Sequence, residues 1–554
     1  LAFTFSDQTP RTTPFRAGDI AVLYPHTALT SDGSIQGQVF KCSIRELGDV
    51  KVVVSLRNKL FDRTVFTDDQ WWALDADILS TNIDTMVRAC AEFTLLPQQR
   101  RQLLLGLVPP RTEPRSVQRP ARLTDAQFAV YSAAIGARDY FLLEGPPGTG
   151  KTSTMLRALV EHLLTDERET LLCAALTNRA VDEICSALKH LAGDGLLLRM
   201  GSIESTEHPA LAFAGAARTR PFDELQQLVE RARIIVATVP YLNANPSVFT
   251  LKRFTTAIID EAAQLVEPQV VGIVSRVERF IMIGDAHQLP AVVQQSERSM
   301  RVSHPLLDAI ELRRLDTSLF ERLLRIAQRN GWHHAWGRLT EQARMHHIVA
   351  QFPGTRFYGR EFGTLHAWQR NDPALLPYEQ LPSFLRHRLV FVDTSPELHQ
   401  GYNVGEARLV AACTTALATV LDPLPSNTLG IIAPFRKQIR TIIEQLPEAL
   451  RAQVTVDTVE RFQGSQRDHI IISCAINQPS DLRLIESIIE LDGRPVDRKL
   501  NVALTRARHQ VIVVGCRRIL EHNTIFAELI AHIERTGIVL SASEALEMLG
   551  NCSV

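Results

Sequence analysis

The 554-residue chain has no CxxC pair. Its eight cysteines, at 42, 90, 173, 185, 413, 474, 516 and 552, are scattered, and several fall in apolar runs that read as strands. This argues against a zinc or iron–sulfur site and against a disulfide framework. Reduced, mostly buried thiols in a cytoplasmic setting, or a nuclear one in a eukaryote, are the expectation. No stretch of 18 or more apolar residues occurs, so no membrane span is expected. The formal net charge is −1, so no global basic field announces nucleic acid, although a neutral protein can carry a basic groove. Lysine is scarce: 8 of the 60 basic residues, which leaves 52 arginines. Lys151 and Lys437 therefore stand out. The chain opens LAFTFSD, with no initiator methionine and no basic stretch before an apolar one. That points to a truncated polypeptide rather than a signal peptide. Low-complexity tracts and short repeats are absent.

What is present is the composition of an ordinary globular protein, 45% apolar and 22% charged. Residues 1–68 alternate β-rich runs such as GDIAVLYP, QGQVFKCSI and VKVVVSL with turns at Ser31–Gly33 and Gly48. They predict a small antiparallel barrel or sheet. Residues 69–107 turn helical, with Ile83, Met86, Val87, Cys90 and Phe93 on one face, and read as a stalk. Residues 108–122, with four prolines, read as a linker. Strand and helix then alternate. Apolar strands are expected at 139–144, 170–176, 233–238, 255–260 and 279–284, and again at 387–393, 429–435, 453–459, 469–476 and 510–515. Near-continuous apolar strands separated by helices mean parallel sheets covered on both faces. The predicted architecture is α/β. Two tandem parallel-sheet domains span 123–315 and 316–535, with an insertion at 195–232 on the first and a tail at 536–554.

The strand 139–144 runs into GPPGTGKT, then a helix. Gly145, Pro146, Pro147, Gly148, Thr149, Gly150, Lys151 and Thr152 fit a phosphate-binding loop. Its glycines let backbone N–H groups turn inward, and the helix N-terminus adds a positive dipole. Lys151 would hold the β- and γ-phosphates and Thr152 would ligate Mg²⁺. DEAAQ follows a later strand. Asp260 would complete the Mg²⁺ shell and Glu261 would orient or deprotonate the attacking water. Gln127, in LTDAQ upstream, offers an amide suited to the adenine edge, which favours ATP over GTP. Gln288, in GDAHQLP, sits where an amide can touch γ-phosphate.

These motifs form an ordered set with ALTNRAVDEI, ATVP, SLFERLL, EQARMHH, IIAPFRKQ, TVERFQGSQRD and LNVALTRARH. Together they resemble superfamily 1 helicases of subfamily B, in the group of the nonsense-mediated decay helicase, senataxin and the replication nuclease-helicase. The match covers about 123 to 516. It implies two RecA-like domains with ATP between them, single-stranded nucleic acid across their top, and a barrel and stalk in front. By this resemblance Arg344 and Arg506 are arginine fingers from the second domain. Thr177, Asn178, Thr238, Pro434, Arg436 and Thr458 match loops that touch phosphate and sugar, and Gln466 matches a ribose contact. Arg508 is open between a phosphate-side contact and a structural ion pair. Three positions depart from the pattern: Ala343 replaces a stacking aromatic, Gln466 a glutamate, and His347 a proline.

The expected activity is ATP-dependent translocation or unwinding on single strands, 5′→3′ by resemblance. DNA is favoured over RNA because DQWWALDADI resembles the nuclease-helicase branch. An ATP-gated clamp or remodeler without duplex unwinding is the alternative. No nuclease constellation is visible, so cleavage would need a domain or partner outside this chain.

Overall fold

The computed structural model describes every residue except 7–14, 16–19, 27–37, 49, 58–59, 61–63, 68–69, 77–79, 294, 422–423, 426, 492 and 551–554. The turn expected at Ser31–Gly33 and Cys552 lie outside the described residues. The chain forms two compact units, Leu1–Asp84 and Thr85–Val554.

The first unit is an antiparallel sheet of five strands: β1 Ala2–Thr4, β2 Ile20–Pro25, β3 Phe40–Leu47, β4 Lys51–Leu56 and β5 Trp72–Ala76, in the order β1-β4-β3-β2-β5. Alternate side chains, among them Leu23, Phe40, Cys42, Ile44, Val52 and Val54, build one core. The edges curl towards each other. Phe3 on β1 and Trp72 on β5 have ring centres 6.2 Å apart. Strand β5 corrects the stalk boundary at 69. WALDA pairs antiparallel with β2, and its Trp72 and Leu74 pack on the core. Its alternation over five residues was too short to show against the helical pattern that follows.

In the second unit, seven strands form the first motor sheet: β6 Tyr140–Glu144, β7 Leu171–Ala175, β8 Leu197–Arg199, β9 Ile234–Thr238, β10 Thr256–Ile259, β11 Arg279–Gly284 and β12 Trp336–Arg338. Their order is β12-β6-β11-β10-β7-β9-β8, and every pairing is parallel. Separate apolar cores cover its two faces. A short parallel pair follows, β13 Glu341–Gln342 with β14 Gly363–Thr364. The second motor sheet holds β15 Leu389–Asp393, β16 Leu429–Ile432, β17 Thr455–Asp457, β18 Arg467–Ser473, β21 Ala507–Gly515 and β22 Ile538–Ser541. The hairpin β19 Ile488–Leu491 and β20 Arg494–Asp497 is inserted before β21. The strand order of the second motor sheet is β17-β16-β18-β21-β15-β22, again all parallel. The fold is α/β with two tandem RecA-like domains.

Three edge strands move the expected boundaries. Strand β12 pairs with β6, and the helix Leu319–Arg329 buries Leu319, Phe320 and Leu323 in the first domain's core. Residues 316–338 therefore belong to the first domain. Strand β22 pairs with β15, so the tail from 536 completes the second sheet. Strand β8 pairs with β9, so 195–232 is not wholly an insertion. All three are three or four residues long and carry no periodicity of their own.

Candidate active site between the two motor domains

The phosphate-binding loop is shaped by contacts of its own backbone. The Gly145 N–H donates to the Gly284 carbonyl at 2.9 Å, tying the loop to β11. Gly148 and Gly150 both have φ +77°, a left-handed backbone that side chains disfavour. A Cβ at Gly148 would also lie 2.6 Å from the Cβ of Arg344. The Lys151 stem folds back over Gly145, where a Cβ would meet it at 2.3 Å. Pro146 accepts from the buried Thr149 hydroxyl at 2.8 Å, and Pro147 is buried beside it. The first helical turn, Lys151–Leu156, is wound as a π-helix.

Thr152 and Asp260 meet, as expected of a shared cation site. The Thr152 hydroxyl donates to Asp260 at 2.5 Å. Burial, then the Glu261 charge, pushes the Asp260 carboxyl up to about 6. Glu261 has φ 52°, a left-handed backbone on a non-glycine residue. Its N–H donates to Asp260 at 2.9 Å, and its carboxylate accepts from Gln264 at 2.8 Å. A cavity of about 70 Å³ opens beside Thr152, Asp260 and Glu261, with Glu460, Gln463 and Gly464 of the second domain on its wall. Changing Glu261 to glutamine is expected to cut hydrolysis by at least ~10²-fold, the usual loss of a general base. Fluorescent-nucleotide binding should be retained. Turnover near the wild-type rate would remove Glu261 from that role.

Both arginines reach this cleft from the second domain. Arg506 is 2% exposed. It donates to the Gln288 side chain at 3.1 Å, the carbonyls of Val502 and Ser465 at 3.0 and 3.3 Å, and Thr505 Oγ1 at 3.2 Å. Arg344 donates to the Gln466 side chain at 2.9 Å and the Thr505 carbonyl at 3.0 Å. Among the described residues neither has a carboxylate within ion-pair distance. Burial lowers the pKa of both, and Arg506 lowers that of Arg344 further. A guanidinium keeps its charge at neutral pH even so. The site thus holds two cations close together with neutral acceptors only.

Gln288 links the domains: its amide nitrogen donates to Asp285 at 2.6 Å while its oxygen accepts from Arg506. Gln127 is 3% exposed. Its oxygen accepts from the Thr124 N–H at 3.2 Å, and its nitrogen donates to the Thr149 carbonyl at 3.3 Å. It braces the phosphate-binding loop. Gln466, read as a ribose contact, is the partner of Arg344. Arg508 is an ion pair with Asp468 at 3.2 Å and lies 5.8 Å from the Trp368 ring centre.

Of the expected nucleic-acid positions, Thr177 and Thr238 cap helices by accepting from Ala180 and Tyr241 N–H groups at 3.2 Å. Thr177 also lines the cavity at Asp260. Asn178 accepts from Arg199 at 3.1 Å. Arg199 is fully buried and paired with Asp182. Pro434 and Arg436 begin the loop and helix after β16, with Arg436 exposed, and Thr458 begins the helix after β17. These loops open at the carboxyl ends of parallel strands, where ligands bind in such sheets.

Several residues at this site were not singled out. Gln342, fully buried, accepts from the N–H groups of Arg344 and Met345 at 2.8 and 2.6 Å and so shapes the loop that carries Arg344. The Tyr358 hydroxyl donates to Asp285 at 2.7 Å, and Asn501 donates to that hydroxyl at 3.0 Å and to the His287 carbonyl at 2.7 Å. His287 lies 3.4 Å from Glu144 and 3.5 Å from Asp285. Burial disfavours its charge, but the two carboxylates outweigh that and push it up to about 9. Arg498 donates to Ala286 O and Glu321 across the same seam. Their only sequence signal is proximity to recognised motifs.

Two RecA-like sheets with a phosphate-binding loop on one and, on the other, two arginines bonded to neutral acceptors among the described residues define a two-domain P-loop nucleotide-binding protein of the helicase type. The comparisons narrow this. AAA-domain patterns match residues 122–216 and 212–296, and a second one 315–518. A DNA replication ATP-dependent helicase/nuclease of Gallus gallus is 27% identical over 475 residues, covering 82% of this chain and 42% of that protein. The ATP-dependent helicase NAM7 of Saccharomyces cerevisiae is 26% identical over 483 residues, covering 79% of this chain and 46% of that one. An arterivirus non-structural protein 10 helicase is similar in structure over 93% of this chain and 76% of its own, at 13% identity and a TM-score of 0.38. The chain belongs to the superfamily 1 helicases, in the group of the replication nuclease-helicases and the nonsense-mediated decay helicase. It spans less than half the length of these two curated relatives. Among the described residues no helix is long and apolar enough to cross a membrane.

Proposed function

We propose that the chain is an ATP-driven motor that moves along single-stranded nucleic acid and separates duplexes. The observation that carries this is the pair Arg344 and Arg506: cations with no carboxylate at ion-pair distance among the described residues, on a separate domain, beside Gly148 and Gln288 of the first. Such charges stabilise a phosphoryl group in transfer only when the domains close. Hydrolysis is thereby tied to motion. Gly145 to Thr152 would cradle the phosphates and Lys151 would neutralise them. Thr152 and Asp260 are hard oxygen donors that fit Mg²⁺, which usually keeps several waters and phosphate oxygens in its shell. The cation would offset the burial that disfavours the Asp260 carboxylate. Glu261 would orient the attacking water.

Thr177, Asn178, Thr238, Pro434, Arg436 and Thr458 are the proposed strand contacts. Hydroxyl, amide and guanidinium donors grip backbone rather than read bases. DNA is proposed as the substrate over RNA, with movement 5′→3′, on the likeness to relatives named as DNA replication helicases. Any nuclease would lie outside these residues, and the proposed setting is cytoplasmic, or nuclear in a eukaryote.

ATPase stimulation by single-stranded DNA and RNA of equal length, titrated with salt, tests the reading. Stimulation should be stronger with DNA and should fall steeply as salt rises. Absence of stimulation by either strand would overturn it. ATPase without strand displacement would leave an ATP-gated clamp.

A further inference from the structure

The second motor domain carries a loop that the nucleotide chemistry does not use. It follows β15 and runs from residue 394 to 403. Buried amides set its path. Asn403 is 1% exposed and Gln438 fully buried. The Asn403 N–H donates to the Gln438 side chain at 2.8 Å, and Gln438 donates to Ser473 at 2.9 Å. Beyond β18, the Asn477 side chain donates to the carbonyls of His399 and Tyr402 at 2.6 and 2.9 Å. In the sheet, β18 and β21 separate β15 from β16. The loop leans across their ends. A Cβ at Gly401, with φ +76°, would sit 3.7 Å from the Phe435 ring. The loop therefore lies against the Pro434–Arg436 segment.

What this ordered loop presents is not an ordinary polar surface. Leu398 is fully exposed. The exposed His399 stacks on Tyr402, with ring centres 4.6 Å apart and planes within 12°. The Lys437 ammonium lies 5.9 Å from the centre of the Tyr402 ring. Arg436 is exposed next to it. Ordering a flat aromatic pair at the surface costs conformational entropy and hides little apolar area. Beside a cationic helix start, this is the make-up of a single-strand stacking platform, where every base offers a π-face.

We propose that His399 and Tyr402 form a ledge on which unpaired bases stack while the adjoining phosphates rest on Arg436 and Lys437. The proposal rests on the motor reading above and adds a base-contacting subsite to it. Fluorescence anisotropy would compare a labelled oligothymidylate with an abasic strand of equal length. His399→Ala should weaken oligothymidylate binding ~10-fold, in the range of one lost base stack. It should leave abasic binding unchanged, and His399→Phe should restore the loss. Arg436→Ala should weaken both strands and lower the salt slope by about 1. Unchanged oligothymidylate binding by His399→Ala overturns the ledge. An equal loss on both strands also overturns it, because the role would then be charge or folding. Failure of the wild-type chain to bind either strand rejects the motor reading instead.

Discussion

Replacing Arg506 by alanine is expected to lower nucleic-acid-stimulated ATP hydrolysis by ~10³-fold or more, the scale on which arginine fingers act. The expectation follows from what the side chain lacks. Its partners are two carbonyls, a hydroxyl and the Gln288 amide, all neutral. Desolvating this guanidinium costs free energy, and the carboxylates of Glu261 and Asp285 offset that only through space, without a direct hydrogen bond to it. Charge on a γ-phosphoryl group would supply the missing partner. Lysine should not rescue it, because its point-like ammonium on a shorter stem lacks the planar fork that spans Gln288 and phosphate. Lys151→Ala should abolish turnover too, but by weakening nucleotide binding. Arg506→Ala should bind fluorescent nucleotide almost as well as the wild type. Full stimulated turnover in the Arg506 variant would sink the finger assignment, and Arg344 would become the main candidate.

The second large effect is on folding. Arg322, on the helix Leu319–Arg329, is fully buried. It donates to both Glu267 oxygens at 2.7 and 2.6 Å, and to the carbonyls of Leu104, Leu105 and Ile310 at 2.8, 3.1 and 3.3 Å. It thereby fastens the helix Gln98–Leu104, the helix Glu267–Val274 and the segment around Ile310 to one point. Arg322→Met keeps most of the volume but leaves Glu267 and three carbonyls without that donor. Removing one partner of a buried pair costs ~3–5 kcal/mol. Urea denaturation should show a loss of that order, at an unchanged slope. Adding Glu267→Leu should recover part of it, because an apolar pair no longer strands a charge. A loss below ~1 kcal/mol for Arg322→Met would mean that water reaches Glu267 and that the pair is in effect a surface one.

The parts of the site legible in the chain are those whose chemistry is contiguous. A phosphate cradle uses successive backbone N–H groups, so GPPGTGKT carries its own geometry. Asp260 and Glu261 were legible because they end an apolar strand. The central strands were legible because parallel strands bury both faces and must be apolar throughout. Gln127 and Gln466 show the limit. Both were noticed, but an amide can bond on either side, and only the fold reveals that one braces Thr149 and the other holds Arg344. Arg508 was open because a guanidinium pairs equally with phosphate or carboxylate, and in the fold it meets Asp468 and Trp368.

By itself, then, the sequence determined the family and the two parallel sheets, because each is written in local pattern or contiguous motif. Tertiary structure alone decided where the domains divide. Strands such as β8, β12 and β22 exist through pairing with partners far along the chain. It alone joined Tyr358, Asn501 and Arg498 to Asp285, His287 and Ala286, and placed the stacked His399 and Tyr402 beside Lys437. These are contacts between residues up to hundreds of positions apart, and no periodicity or motif encodes a distance through space.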